Sequence, residues 1–144
     1  MKKLVFIFLI AFSTLHAQEN RHEKIKALKT AYITEKLSLS PADAEKFWPI
    51  YNEFDQRFHE LRKKRRKEVY SVLHNRWDAL TDSEANALFD KYIEFKFEDL
   101  ELLRDRTQEL RTVISPKKII SLSKVEEDFK RELLDRYRKQ KSKE

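Results

Sequence analysis

The chain has no glycine in 144 residues, and that absence limits its fold more than any motif it carries. Average usage of about 7% would place about ten glycines in a chain of this length. Dinucleotide-binding loops, phosphate-binding loops, Asn-Gly hairpins and nucleophile elbows all depend on glycine's freedom at positive φ or on its missing side chain. Most nucleotide enzymes and most β architectures are therefore not expected. The absence of cysteine removes disulfides, thiol nucleophiles and thiolate metal sites as well. The expectation is an all-α protein that acts by binding.

The first residues read as a targeting segment. Lys2 and Lys3 precede an unbroken apolar run from Leu4 to Phe12, and Ser13-Thr14-Leu15-His16-Ala17 follows with the small residues of a cleavage region. The run is too short to cross a bilayer, which takes about 20 residues. Residues 1–17 are thus expected to be a signal peptide cleaved after Ala17, which sends residues 18–144 to the periplasm as a single helical domain without a transmembrane segment. Without Lys2 and Lys3 the chain keeps 29 basic and 25 acidic residues, a net charge of +4. With charged residues nearly as common as hydrophobic ones, 39% against 40%, the chain suits thin helices whose core is completed by a second copy.

Four helices follow from apolar spacing and start signals. The first covers about residues 23–37, with Ile25, Leu28, Tyr32 and Leu37 near one face. Ser40 can cap the second, with Pro41 at its first position. Phe47, Tyr51, Phe54, Phe58 and Leu61 then recur at steps of four and three. This long second helix is expected to reach about Leu73 and to kink at Pro49, where the ring removes a backbone bond. Thr81-Asp82-Ser83-Glu84 forms a capping box and opens a third helix with a stripe through Ala85, Leu88, Tyr92, Phe95, Leu103, Leu110 and Val113. Ser115-Pro116 opens a fourth, carried by Ile119, Leu122, Val125, Phe129 and Leu133. Between helices two and three, Asn75 is the residue best suited to a left-handed turn, for want of glycine. Short connections predict an elongated antiparallel bundle.

The helix starts Leu39-Ser40-Pro41-Ala42-Asp43, Leu80-Thr81-Asp82-Ser83-Glu84 and Ile114-Ser115-Pro116-Lys117-Lys118 resemble the LTxxQ motif of the Spy/CpxP family of periplasmic chaperones and stress regulators. The segment from Ala44 to Glu53 resembles a Bacteroidetes-type branch of that family, some of whose members are labelled sensors of extracytoplasmic sigma factors. Asp43, Glu84 and Lys118 stand where the motif has glutamine. The resemblance implies an ATP-independent chaperone: a cradle-like antiparallel homodimer that holds unfolded envelope proteins on a basic, partly apolar face. It implies, as the alternative, a sensor that binds one regulatory membrane partner, such as the periplasmic domain of a kinase or an anti-sigma factor.

The residues singled out for binding centre on the run Arg62-Lys63-Lys64-Arg65-Arg66-Lys67, six cations that at about 100° each go right round a helix. One reading pairs them with Asp90, Glu94 and Glu98 of the next helix; the other makes Arg62, Lys63, Arg65 and Arg66 a patch for clients, an acidic partner or anionic lipid. Trp48 and Trp77 fall off the clearest stripes and could anchor a partner or staple a helix junction. Ile93, Phe97 and Leu102 also lie off the stripe of helix three. Export makes nucleic acid a poor partner.

No catalytic constellation emerges. His59-Glu60 starts like a zinc-protease motif, but Lys63 replaces its second histidine. Gln56 and Ser71 stand three residues before His59 and His74, where a di-iron bundle needs glutamate. No enzyme activity, metal or cofactor is expected.

Overall fold

The computed structural model describes residues 23–142, of which helix covers 90%. No strand occurs among the described residues. The segment read as a signal peptide lies outside them. The helices are α1 (23–36), α2 (Pro41–Arg65), a π-helical turn (Arg66–Tyr70), α3 (Ser71–Arg76), a 3-10 turn (Trp77–Ala79), α4 (Asp82–Leu110) and α5 (Pro116–Lys141). Because α2, the π turn and α3 run on without a break, the chain forms four helical rods, an all-α bundle.

Each rod after the first begins at a side-chain cap. Ser40 Oγ accepts from the Asp43 amide at 3.1 Å, Thr81 Oγ1 from Glu84 at 3.3 Å and Ser115 Oγ from Lys118 at 3.3 Å. Only Thr81 completes the reciprocal box, since its own amide donates to Glu84 Oε2 at 2.9 Å. These bonds satisfy amides that the first helical turn leaves without a carbonyl.

The left-handed residue is Ser38, not Asn75. Ser38 has φ 47° and is the non-glycine residue at positive φ among those described. Its amide donates to Glu35 O and that of Leu39 to Thr34 O, both at 3.0 Å. This is the Schellman ending of α1, with serine where glycine is usual. Asn75 stays inside α3. The turn into α4 is made by the 3-10 segment, with Arg76 at φ −143° and Leu80 extended, so no left-handed residue is needed there.

Contacts divide the chain into two units. Of the described residues, one unit joins 23–39 with 120–142. Within it Tyr32 meets Phe129 with ring centroids 5.5 Å apart, and Leu28 and Leu133 help line the same seam. The last stretch, from Lys130, stays helical as far as Lys141.

The other unit, Ser40–Ile119, is a helical hairpin. Arg106 of α4 lies over the rings of Tyr51 and Phe58, Arg65 is bonded to Asp99, Glu68 meets Lys91 at 3.0 Å, and Arg76 meets Glu84 at 3.6 Å. One residue number rises as the other falls, so the rods are antiparallel. Pro49 lies on the exposed side of α2 and does not end it. Its missing amide leaves the Glu45 carbonyl free to turn toward water.

Further along the rod comes the π turn, where the Ser71 amide reaches back five residues to Arg66 O. Eight residues separate Leu61 from Val69, yet both are buried in one cluster with Phe95. At about 100° per residue, eight residues overshoot two turns by about 80°. The π turn takes up one residue and returns Val69 to the core side.

On α4 the buried side runs through Leu88, Tyr92, Phe95, Leu102, Arg106 and Leu110. The expected stripe fails at its far end: Leu103 is exposed and Val113 lies beyond the helix. The core side passes through two polar residues, half-buried Asp99 and Arg106, which is only 7% exposed. Apolar spacing alone steps over them. Leu102, read as off the stripe, belongs to the core.

Candidate functional site

The six cations separate into distinct environments. Arg65 is half-buried against Asp99, and its Nε finds no acceptor among the described residues. Its role is to pin α2 to α4. The anticipated partners Asp90, Glu94 and Glu98 do not take this place, because Asp99 is the acid that follows Phe95 at a step of four on the packed side of α4. Lys63, Lys64 and Lys67 line an open cleft of about 880 Å³, with Glu98, Glu101, Leu102 and Asp105 across it. Lys64 Nζ also lies 5.5 Å from the Phe95 ring. This cleft is zwitterionic: its α4 wall is acidic, and its other wall carries Arg57, Lys63, Lys64 and Lys67 together with Glu53 and Glu60. Arg62 and Arg66 are exposed and line no part of it.

A second cleft, of about 330 Å³, lies at the hairpin tip and is lined by Val69, Tyr70, Leu73, Leu80, Ala85, Leu88, Phe89 and Tyr92. No ionisable side chain other than its two tyrosines borders it. Three structural features build it. The π turn brings Val69 inward and sets Tyr70 beside it. The Thr81 cap starts α4 so that Ala85 and Leu88 face α3. Tyr70 and Tyr92 then meet edge to face, with centroids 6.5 Å apart. Tyr70, Leu73 and Phe89 remain substantially exposed along its lip. Trp77, on the adjoining 3-10 turn, is 71% exposed and so staples nothing.

Trp48 sits elsewhere, half-buried, with Phe47 at 5.0 Å and Tyr51 at 5.3 Å, both in edge arrangements. Some 29 residues of rod separate it from Trp77, about 43 Å at 1.5 Å per residue. The two tryptophans therefore cannot serve one small site. The cap residues Leu39, Ser40, Pro41, Leu80, Thr81, Glu84, Ser115 and Pro116 act structurally at helix starts, and Leu80 also reaches the tip cleft.

Two of the motif positions meet in space. Lys118 Nζ lies 3.4 Å from Asp43 Oδ2. A cation in the first turn of α5 opposes the helix dipole, and Asp43 supplies the compensating charge. Lys118 and the Ser40 hydroxyl together hold the Asp43 carboxyl below its usual range. The Thr81 amide and hydroxyl lower Glu84 in the same way, and Lys91 lowers Glu68.

Among the described residues no cluster of three or more potential ligands could hold a metal, and no helix is long and apolar enough to cross a membrane. Sequence reasoning missed the tip cleft because its lining comes from both sides of a turn. The signal was available in Tyr70, Leu73 and Phe89, apolar residues left over by the stripes of both rods. No family model, curated protein or solved structure matches this chain.

Proposed function

We propose that the chain is an ATP-independent periplasmic chaperone that holds unfolded or misfolded envelope proteins at the hairpin tip. The observation that carries this reading is the apolar cleft open to solvent, with Trp77 exposed beside it. An apolar surface of this kind on a small, highly charged protein marks an interaction site. Arg62 and Arg66, exposed further along the same rod, would draw in acidic stretches of a client over a Debye length of about 8–10 Å. Shallow apolar contacts then hold the client without a nucleotide cycle, and a chain with no glycine offers no loop of the usual kind for nucleotide phosphates. In this reading residues 1–17 direct export, and the protein works as a homodimer that leaves the tip free.

The zwitterionic cleft favours a second reading, that of a sensor for one regulatory envelope protein. Ordered charges of both signs select a partner more sharply than an apolar lip does. The test is light scattering of several chemically unrelated denatured proteins, diluted with and without the chain in the absence of ATP. Suppression across all of them at near-stoichiometric ratios is expected. Suppression of none would reject the chaperone and leave the sensor.

A further inference from the structure

Beyond the tip, α4 carries a second exposed apolar strip that contributes to neither cleft. Phe97 and Leu100 are 64% and 62% exposed, and Ile93 is also exposed. At about 100° per residue, Ile93, Lys96, Phe97 and Arg104 all lie within about 60° of Leu100. The acids Asp90, Glu94, Glu98, Asp99, Glu101 and Asp105 all stand about 80° or more away from it. The helix holds nine acids, and the only one in the direction of the strip is Asp82, at the first helical position, well before Ile93. Between Ile93 and Arg104 the charged residues on this strip are therefore the cations Lys96 and Arg104, while Lys91 and Arg106 stand on other faces of α4.

We propose that this strip docks on the surface of an anionic phospholipid leaflet. An interfacial helix presents aromatic and aliphatic side chains to the acyl boundary and lets lysine and arginine stems reach the headgroups. Lys96 and Arg104 flank the apolar residues in that manner. Lys96 Nζ now folds over the Tyr92 ring at 5.3 Å, and Arg104 meets Asp105 at 3.2 Å, both exposed contacts that bind weakly. With the strip laid flat, the acidic faces point up or away from the lipid. A second copy fits less well, since antiparallel self-pairing centred on Leu100 sets Lys96 against Arg104, cation against cation. Specific capture of a protein side chain would also need a pocket, and Phe97 and Leu100 line neither cleft. A fluid leaflet needs none.

The proposal is independent of the chaperone reading, which rests on the tip. Because the chain has no cysteine, a single Leu100→Cys or Phe97→Cys carrying an environment-sensitive fluorophore reports on the strip alone, and Glu94→Cys reports on a neighbouring acidic face. All three are made in the full chain and mixed with vesicles of phosphatidylcholine, alone or with phosphatidylglycerol. The expected result is a blue shift for the two strip labels, only with phosphatidylglycerol and reversed by salt. With the label kept, Lys96→Gln together with Arg104→Gln should weaken binding on the order of thirtyfold, at about fivefold per cation, with unchanged circular dichroism. No shift, an equal shift from Glu94→Cys, or equal binding to phosphatidylcholine alone overturns the proposal. A concentration-dependent shift without vesicles overturns it in favour of a second copy.

Discussion

Deleting one residue from the π turn should leave the hairpin folded, whereas deleting one from the rod just before it should not. Leu61 and Val69 share a cluster with Phe95, and Val69 is 1% exposed. Removing Lys67, which is exposed, reduces their separation to seven residues, or about 700°, which is about 20° short of two turns and within the normal drift of a heptad. The segment can then close as plain α-helix with Val69 still inward, at a cost of about 1 kcal/mol or less. Removing exposed Gln56 instead turns Phe47, Tyr51 and Phe54 by about 100° relative to Leu61 and everything after it. All three are buried, and each contributes about 1.5–3 kcal/mol by being so. The total, about 5–9 kcal/mol, is comparable to the whole stability of a small domain. Thermal melts followed by far-ultraviolet circular dichroism separate the two outcomes. The Lys67 deletion should melt cooperatively within about 5 °C of the parent, and the Gln56 deletion should show no cooperative transition. If both unfold alike, or if the Gln56 deletion is harmless, the π turn does not set the register of the core.

Two further predictions concern stability. Ser38→Gly should stabilise the chain: relief of a left-handed serine is worth about 1–2 kcal/mol, offset by glycine's greater freedom in the unfolded chain, about 0.5–1 kcal/mol. The net gain of about 0.5–1 kcal/mol should raise the melting temperature by a few degrees, and a lower melting temperature would contradict the Schellman assignment. Stability should also fall in acid. The carboxyls of Asp43, Glu68, Glu84 and Asp128 are held below their ordinary values of 3.8 or 4.5, by Lys118, by Lys91, by the Thr81 cap and by Lys124 respectively. The unfolded chain therefore binds more protons, and the stabilisation is fully present above about pH 4.5 and lost as pH falls through the folded values. Urea midpoints from about pH 6 down to pH 3 should show this slope, and Glu84→Gln, which keeps the capping box but not its titration, should flatten it.

The parts of this fold that depend on neighbouring residues could be read from the sequence, and those that depend on phase could not. Ser40, Thr81 and Ser115 were recognisable as caps because a cap is settled within four residues. The end of α1 was not, since Schellman endings usually announce themselves with glycine and here a serine takes the strain. The run without apolar residues from Arg62 to Glu68 was visible. Its meaning, an extra residue taken up by the π turn, lies in the packing of Val69 beside Leu61, which spacing alone does not reveal. On α4 the core passes through Asp99 and Arg106, so the apolar pattern pointed to Leu103 where packing uses Leu102. The basic run likewise looked uniform as a string. The structure divides it into a tie to Asp99, one wall of a cleft and two outlying arginines.

Whether the hairpin tip binds unfolded protein is best tested by changing the tip alone. Leu73 and Trp77 are both exposed, so Leu73→Ser with Trp77→Ser should leave helicity and melting temperature intact. The decisive measurement is ATP-free suppression of aggregation by this variant beside the parent chain, across several unrelated denatured proteins. The parent should suppress all of them, and the variant should lose most of this effect. Full suppression by the variant would show that clients are held elsewhere and would contradict the assignment of the tip.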